Sequence, residues 1–332
     1  MAGMLELVLS FPVLILLLSV VILGILMMYI VLFVTTQREP DLWRHDSEMY
    51  FSTGNGEERA PFPSLDDPAS VSLSLIVPAY NEKDRLPIML DEALFFLEER
   101  LKEDSSFSYE VIVVDDGSRD STSEVVIEYS KRYGSNKVRL LKFVKNRGKG
   151  GAVRMGMLSS RGSRLLFADA DGATRIEDLT KLEDALSKDA PDHDVAAISV
   201  GSRAHLQDDA VAERTFFRNF LMFGFHFLVW FFCVRGIKDT QCGFKMFTRA
   251  AARPLFNSIH VNRWAFDVEL LLIAQKLNLP ISEVAVNWHE VEGSKLVPFW
   301  SWLQMAKDLL LISFRYLFRI WTVSPGTKSK TD

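Results

Sequence analysis

Two aspartates separated by one residue, Asp169 and Asp171, follow the apolar run SRLLF near the middle of the chain. The run is typical of a buried strand, and two carboxylates placed where a chain turns after a strand can approach one hard cation. Mg²⁺ or Mn²⁺ held by one or two carboxylates together with substrate phosphates is a usual arrangement. The position of the pair, more than its spacing, therefore indicates a metal site that would stabilise negative charge on a departing diphosphate.

Three further polar clusters follow apolar runs in the same way, namely Pro78 to Glu82, Asp115 with Asp116, and Gly201 to Arg203. One carboxylate of the aspartate pair can accept the imide N–H of a uracil, which would favour a uridine nucleotide. Tyr80 can line the base, and Glu82 can accept a hydrogen bond from the ribose or the base. Turn and helix-cap residues after strands explain each cluster singly without a ligand, but they explain four such clusters in one chain poorly.

A glycine-rich stretch, Asn146 to Gly151, precedes a predicted helix at 150–160. Glycines allow backbone N–H groups to approach an anion at a helix N-terminus, and Lys149 adds positive charge. The stretch lacks the spacing of a Walker loop, and the GxGxxG dinucleotide pattern fails because position 153 is Val153. Phosphate contact and a plain turn both remain open for this loop, whereas a dinucleotide-dependent dehydrogenase is disfavoured.

The elements that must position these side chains alternate between strand and helix. Strands are predicted at 72–80, 109–117, 138–144, 163–171 and 195–203, and helices at 84–101, 121–133 and 150–160. This alternation predicts an α/β fold with a mostly parallel, open sheet. Ligands of such sheets bind beyond the carboxyl ends of the strands, so the four polar clusters are expected to meet in one cleft.

A membrane anchor precedes this region. The run from Leu7 to Val34 contains no charged residue and exceeds the ~20 residues that cross a bilayer. The run is too long for a signal peptide, and its N-terminal flank carries Glu6 and no cation. Arg38 and Arg44 follow the run, so the C-terminal side is expected to face the cytosol.

Two later segments are apolar and aromatic, at 220–234 and 296–321. Both fit helices in the membrane interface, with aromatic side chains in the lipid and cations at the headgroups. A core or oligomer helix is the alternative for each. A second membrane span at 303–321 is disfavoured because it would bury four charged side chains in lipid, namely Lys307, Asp308, Arg315 and Arg319.

Composition narrows the class of protein further. The 332 residues include 43 acidic and 38 basic side chains, giving a net charge of -5, which argues against general nucleic-acid binding. The two cysteines, Cys233 and Cys242, are too few for a disulfide framework and fit a reducing compartment.

Across about 71–300 the chain resembles glycosyltransferase family 2. The resemblance is carried by IVPAYNE, VVDDGS, NRGKGGAVRMG, FADADGA, GSR and DTQCGFKMF, in that order along the chain. It implies the GT-A fold and an inverting mechanism. Within the family, the anchor and the ADADGAT and DTQCGFK strings look most like enzymes that transfer glucose from UDP-glucose to dolichyl phosphate at the cytosolic face of the endoplasmic reticulum.

The resemblance also implies roles for individual residues. The nucleotide of the donor would be held by Pro78, Tyr80, Glu82, Asp115 and Asp116, and its diphosphate would lie at Asp169, Ala170 and Asp171. Lys149, from the glycine-rich loop described above, completes the predicted donor site. The metal would lie on Asp169 and Asp171, and donor or acceptor phosphates would meet Arg203, Arg218, Lys245 and Lys295. Ala173 stands where related mannosyl enzymes carry a glutamine ligand, so water, Thr174 or substrate must complete the metal shell.

Catalysis is expected to rest on positioning and electrostatics, because a phosphate monoester is already ionised near neutral pH. The predicted catalytic residues are Asp169, Asp171 and Arg203. Asp239, Asp267 and Glu269 are reserve candidates for a general base, each with a structural role as the alternative.

The organisation that follows from this resemblance is a lumenal N-terminus at 1–6, an anchor at 7–34, a linker at 35–70, a catalytic domain at 71–295 with a membrane-interface segment at 216–235, and an interfacial helix and tail at 296–332. Two other functions stay open: a dolichyl-phosphate mannosyltransferase that uses GDP-mannose, and a membrane-anchored nucleotide-sugar-binding protein without turnover.

Overall fold

The computed structural model describes residues 2–53, 58–192, 194–206, 224, 227–291 and 298–323. In chain order the elements are α1 (Ala2–Thr35), β1 (Tyr50–Thr53), β2 (Glu58–Pro61), β3 (Val71–Ala79), α2 (Leu86–Glu103), β4 (Tyr109–Asp115), α3 (Thr122–Tyr133), β5 (Val138–Lys142), α4 (Lys149–Leu158), β6 (Gly162–Ala168), α5 (Leu179–Asp189), β7 (Ile198–Ser202), β8 (Phe244–Thr248), α6 (Arg249–Ser258), α7 (Phe266–Lys276), β9 (Ile281–Ala285) and α8 (Pro298–Leu317).

A seven-stranded sheet in the order β5-β4-β3-β6-β8-β7-β9 forms the centre of the domain. β8 runs antiparallel to both of its neighbours, and the remaining pairs are parallel. All seven residues of β4 are buried, as expected for a strand with helices on both faces of its sheet. The predicted mostly parallel open sheet is thus confirmed.

Alternate side chains of the strands enter two apolar clusters, one on each face of the sheet. On β3, Ile76 joins the cluster formed with α4, α6, α7 and α8. Its neighbours Leu75 and Val77 join the other cluster, formed with α2, α3 and α5. This alternation is the period of two that a pleated strand imposes, and it gives a three-layer architecture.

The structure confirms the five predicted strands and three predicted helices, with ends that differ by a few residues. It adds four strands that were not predicted, the β1–β2 pair outside the central sheet and β8 and β9 within it, and three helices, α5, α6 and α7. β8 matters most for the site, because its antiparallel direction brings its first residue to the edge where β6 ends.

Helix α1 has the properties of a membrane span. Its segment Val13–Thr35 is long and apolar enough to cross a bilayer and is not buried against the rest of the described chain. Among the described side chains of α1, from Val13 onward, those near the C-terminal end pack on the domain. There Leu32 is buried and the ring of Tyr29 meets Phe318 edge to face, with centroids 5.6 Å apart.

The segment expected to be a linker has more structure than its polar composition indicates. β1 and β2 pair as an antiparallel hairpin, and the buried Glu48 forms an ion pair with Arg147 of the domain. Farther along, the Arg249 guanidinium donates to the carbonyl oxygens of Ser64 and Asp67 at 3.0 and 2.7 Å. Buried ion pairs and backbone contacts therefore tie this segment to the domain.

One face of α8 belongs to the domain core, which was the alternative to an interfacial helix. Ala306, Leu309, Ile312 and Tyr316 recur at helical spacing and are buried. Within the 220–234 segment, the described residues are 224 and 227–234. Residues 227–232 are helical, and three aromatic side chains there are more than half exposed: Phe227, Trp230 and Phe231.

Candidate active site

The sheet brings the predicted clusters to one edge. β4, β3 and β6 are parallel neighbours, and β7 points in the same direction because both it and β6 run antiparallel to β8. The residues that follow Ala79, Asp115, Ala168 and Ser202 therefore share an edge, as predicted. The start of β8 lies at this edge too.

Asp169 is seated by two groups from different parts of the chain. Its backbone N–H donates to the carbonyl oxygen of Gly243 at 3.1 Å, and its Oδ1 lies 2.6 Å from Lys149 Nζ. A methyl group on Gly243 would stand 2.0 Å from Asp169 Oδ2, a separation that atoms cannot adopt. Any larger residue at 243 would therefore displace this carboxylate from its present position. The DTQCGFK string contained this residue, but spacing alone did not assign it a role.

Asp171 lies beside Asp169 and is half-buried. Burial and the Asp169 charge raise the pKa of Asp171. Burial alone would lower the pKa of Lys149, but the negative charges of Asp169 and Asp267 raise it. The pair of carboxylates thus attracts a cation, and the Lys149 ammonium group already supplies one positive charge.

This pair fits a hard divalent cation. Carboxylate oxygens are the ligands that Mg²⁺ and Mn²⁺ prefer, and such ions commonly take remaining ligands from water and substrate phosphates. Within the described part of the chain, no group of three or more His, Cys, Asp or Glu side chains is placed to hold a metal. The protein would therefore supply Asp169 and Asp171, and the other ligands must come from elsewhere.

Asp115 and Asp116 are both buried and organise two loops. Asp115 accepts a 2.8 Å hydrogen bond from the Ser118 N–H and one from the Ser123 hydroxyl. Asp116 accepts hydrogen bonds from the backbone N–H groups of Arg147 and Gly148 at 2.6 and 2.8 Å. Burial raises the pKa of Asp116 to about 6. The turn-forming role is thus present, and Asp116 fixes the glycine-rich loop that carries Lys149.

Glu82 lies at the end of β3 in contact with Arg85, which was not predicted. The two side chains form an ion pair of 2.7 Å, and the Glu82 N–H donates to the Thr122 hydroxyl at 2.8 Å. The Arg85 charge also lowers the pKa of Asp171, but burial has the larger effect and raises that pKa overall. Glu82 and Asp171 follow the neighbouring parallel strands β3 and β6, so both lie at this edge of the sheet. Pro78 and Tyr80 are half-buried beside them.

Arg203 forms a bidentate ion pair with Asp239. Its Nε and one terminal nitrogen lie 2.7 and 2.9 Å from the two carboxylate oxygens, and its guanidinium stands 5.5 Å from the Trp288 ring centroid. Burial would raise the pKa of Asp239, but Arg203 lowers it. Asp239 is thus suited to position Arg203 and poorly suited to act as a base.

Lys245 does not reach the cleft. It is fully buried, and its ammonium group contacts Asp267 Oδ1 and the Cys242 carbonyl oxygen, each at 2.6 Å. This β8 side chain lies between the sheet and α7, so its contact with a phosphate stays a prediction that the geometry does not favour. Asp267 is thereby occupied as well.

Glu269, the last reserve base, is fully buried among structural donors. It accepts hydrogen bonds from the backbone N–H groups of His260 and Val261 and from the Tyr316 hydroxyl at 2.9 Å. The predicted Arg218 and Lys295 lie outside the described residues. Ala170 is buried in the apolar cluster beneath the cleft.

This chain was compared with protein-family models and with known proteins. The family model described as glycosyl transferase family 2 matches residues 74–256. A dolichyl-phosphate β-glucosyltransferase of Mus musculus is 56% identical over 92% of this chain and 94% of its own length. The Homo sapiens protein of the same name is 56% identical over 92% and 94%, and that of Saccharomyces cerevisiae is 44% identical over 77% and 78%.

Solved structures share the fold at low sequence identity. Glucosyl-3-phosphoglycerate synthase from Mycobacterium tuberculosis, in complex with UDP, matches with a TM-score of 0.50 and 16% identity over 74% of this chain and 81% of its own. Mannosyl-3-phosphoglycerate synthase from Rubrobacter xylanophilus matches with a TM-score of 0.50 and 17% identity, over 79% and 80%. These matches support a GT-A type of glycosyltransferase fold.

Proposed function

We propose a function from the premise that this chain belongs to glycosyltransferase family 2, whose model covers residues 74–256. The chain transfers glucose from UDP-glucose to dolichyl phosphate with inversion. The product is dolichyl β-D-glucosyl phosphate, the lipid-linked glucose donor for N-glycan precursor assembly. The observation that carries the proposal is the cleft in which Asp169 and Asp171 follow β6 beside Lys149, in a chain more than half identical to relatives named for this reaction.

The donor diphosphate lies in this proposal at the carboxylate pair. Asp169 and Asp171 would hold Mg²⁺ or Mn²⁺, which supplies positive charge for the UDP leaving group when bound. Lys149 adds a second positive charge from the glycine-rich loop, and Asp116 keeps that loop in place. The nucleoside is assigned to the neighbouring side chains of β3 and β4, Pro78, Tyr80, Glu82, Asp115 and Asp116.

The acceptor is proposed to react without a protein base. A phosphate monoester carries ionised oxygens near neutral pH, so its attack on the anomeric carbon needs alignment more than deprotonation. The engagement of all three reserve bases supports this view, because Asp239, Asp267 and Glu269 are held by Arg203, Lys245 and Tyr316 respectively. Arg203 would orient the acceptor phosphate, and Arg218 and Lys295 remain further predicted contacts.

The proposed location is the endoplasmic reticulum membrane, with α1 as a single span and the catalytic domain on the cytosolic side. The apolar segment Val13–Thr35 supports the span, and Arg38 and Arg44 after it support the orientation. A cytosolic domain would meet its nucleotide sugar directly and its lipid acceptor at the bilayer surface.

Purified full-length protein with UDP-glucose and a polyprenyl phosphate tests the proposal. Glucosyl transfer and UDP release are expected, and both should cease when a chelator removes divalent cations. Added UDP should inhibit more strongly than GDP. Transfer only from GDP-mannose would make the chain a mannosyltransferase, and nucleotide-sugar binding without UDP release would make it a non-catalytic binding protein.

A further inference from the structure

A polar cavity of about 440 Å³ lies where the membrane helix meets the domain. We call it the anchor cavity and define it by six of its lining residues, Thr36, Glu39, Asp41, Arg263, Asp308 and Arg315. The lining comes from the exit of α1, the turn before α7, and α8. None of these residues belongs to the cleft that holds Asp169 and Asp171.

The anchor cavity is at the level of lipid headgroups. The apolar segment of α1 ends at Thr35, and Thr35 and Thr36 both line the cavity. A residue at the end of a membrane span lies at the boundary between hydrocarbon and water. A lipid in the adjacent leaflet can therefore place its headgroup at the cavity without leaving the bilayer.

Charges of both signs line the cavity. Burial raises the pKa of the half-buried Asp308 carboxylate, and the positive charges of Lys307, Arg263 and Arg315 act in the opposite direction and favour its charged form. Glu39 and Asp41 supply further negative charge on the α1 side. A simple anion would meet three carboxylates, whereas a headgroup with a phosphate and an ammonium group can satisfy both signs.

The cationic side of the cavity is preorganised. Arg315 Nε donates to the Thr36 hydroxyl at 3.1 Å, and its guanidinium stacks 4.6 Å from the Trp321 ring centroid. The Trp321 indole N–H donates to the Gln37 carbonyl oxygen at 2.9 Å. These contacts fix one arginine in place before a ligand binds, which lowers the entropic cost of binding.

The cavity is connected to the glycine-rich loop through one residue. Asn262, next to Arg263, accepts a 3.1 Å hydrogen bond from the Gly151 N–H through its backbone carbonyl oxygen. The same oxygen would stand 2.5 Å from a methyl group on Gly148. Lys149, which pairs with Asp169, lies between these two glycines, so the cavity and the cleft share this loop.

We propose that the anchor cavity binds the headgroup of a zwitterionic phospholipid, with its phosphate on Arg263 and Arg315 and its ammonium group among Glu39, Asp41 and Asp308. The bound lipid joins the membrane span to the catalytic domain at a fixed depth. This inference requires the membrane anchor and does not require the proposed sugar transfer, so a binding measurement tests it independently.

The test is calorimetric titration of full-length protein in detergent with dihexanoyl-phosphatidylcholine below its micelle concentration. Saturable binding is expected, with dihexanoyl-phosphatidylglycerol at least about tenfold weaker because it lacks the ammonium group. Arg263→Gln and the isosteric Asp308→Asn should each weaken phosphatidylcholine binding by about tenfold. Lys131→Gln, which removes an exposed charge on α3 outside the cavity lining, should bind like the unmodified chain.

Three results would overturn the inference. One is the absence of saturable phosphatidylcholine binding. Another is equal affinity for the zwitterionic and anionic lipids. The third is displacement of phosphatidylcholine by a short isoprenyl phosphate with the same response to Arg263→Gln, which would make the cavity part of the acceptor site. Thermal melting of each variant verifies that a loss of binding is not a loss of fold.

Discussion

At the scale of single residues, the cleft depends on side chains that hold other side chains. Gly243 and Lys149 seat Asp169, Asp116 holds the loop of Lys149, and Asp239 holds Arg203. Each of these contacts joins distant parts of the chain. The positions of the groups proposed to contact substrate therefore depend on the residues that hold them.

Gly243→Ala should reduce kcat/KM by about 100-fold or more, because the added methyl group displaces the Asp169 carboxylate and misplacement of a catalytic group by about 1 Å has this effect. Steady-state glucosyl transfer measures the loss. Gly24→Ala is the control, since a methyl group there meets nothing within 4 Å. Full activity of Gly243→Ala would show that Asp169 does not need its present position.

Lys245→Met should destabilise the protein by roughly 3–5 kcal/mol, because it leaves the buried Asp267 carboxylate without its partner. The double variant Lys245→Met with Asp267→Leu should recover much of that loss, since no unpaired charge remains. Thermal unfolding in detergent compares the three proteins. If Lys245→Met instead increased the KM for the acceptor and left stability unchanged, the result would support the predicted contact of Lys245 with a phosphate.

Asp239→Asn should raise the KM for polyprenyl phosphate while the KM for the donor stays close to its original value. The amide cannot accept both guanidinium hydrogen bonds, so Arg203 loses its fixed orientation. The pH profile of kcat provides the second measurement. Loss of its acidic limb in this variant would identify Asp239 as a general base and contradict the positioning role.

The pH dependence of stability should contain a contribution from Asp116. Its pKa in the folded protein, about 6, lies above the ordinary value of 3.8 because of burial. The stabilising contribution of the protonated carboxyl is therefore complete below about pH 3.8 and is lost as pH rises through 6. The stability of Asp116→Asn relative to the unmodified chain should rise between pH 4 and 6 and level off above 7. Melting temperatures across this range measure it, and a flat difference would contradict the assignment.

At the scale of elements, the strands that carry the cleft were predictable and their partners were not. β3 and β4 contain the apolar runs LIVPA and VIVV, so both strands could be assigned from hydrophobicity. β8 has the sequence FKMFT, in which Lys245 interrupts the apolar pattern although it is fully buried. Its pairing with Asp267, 22 residues away, depends on tertiary packing that local sequence does not encode.

The segment at 35–70, which contains Glu48 and the β1–β2 hairpin, is a structural part of the domain. The variant Glu48→Ala should show this. Removing the buried Glu48 carboxylate leaves Arg147 without its ion-pair partner. It also removes the acceptor of the 3.0 Å hydrogen bond that the Val144 N–H donates to Glu48. A loss of roughly 3–5 kcal/mol in stability is expected, measured by thermal unfolding. Asp46→Ala, an exposed change two residues before Glu48, is the control. Equal stability of both variants would show that this segment does not stabilise the domain and is a linker, as the sequence predicted.

At the scale of the whole molecule, the membrane span and the catalytic domain are joined by direct contacts. Tyr29 meets Phe318, Arg315 meets Thr36, and His260 Nε2 lies 2.9 Å from the Arg38 carbonyl oxygen. The sequence predicted the span from its length and lack of charge. It could not predict this docking, because the contacting residues lie more than 200 positions apart.

The proposed orientation predicts the fate of glycosylation tags in cells. An Asn-x-Thr acceptor placed before α1 should receive an N-glycan, and the same acceptor placed after residue 332 should remain unmodified. The reason is that only the lumenal side of the endoplasmic reticulum contains the oligosaccharide transferase. Gel mobility before and after glycosidase treatment measures both, and the reverse pattern would place the catalytic domain in the lumen.

The reversed direction of β8 gives the chain between residues 203 and 243 a particular geometry. β7 ends and β8 begins at the same edge of the sheet. The ion pair of Arg203 with Asp239 joins the two ends of the connection between these strands. An insertion whose ends stand side by side can lengthen, shorten or be exchanged without shifting the strands beneath it.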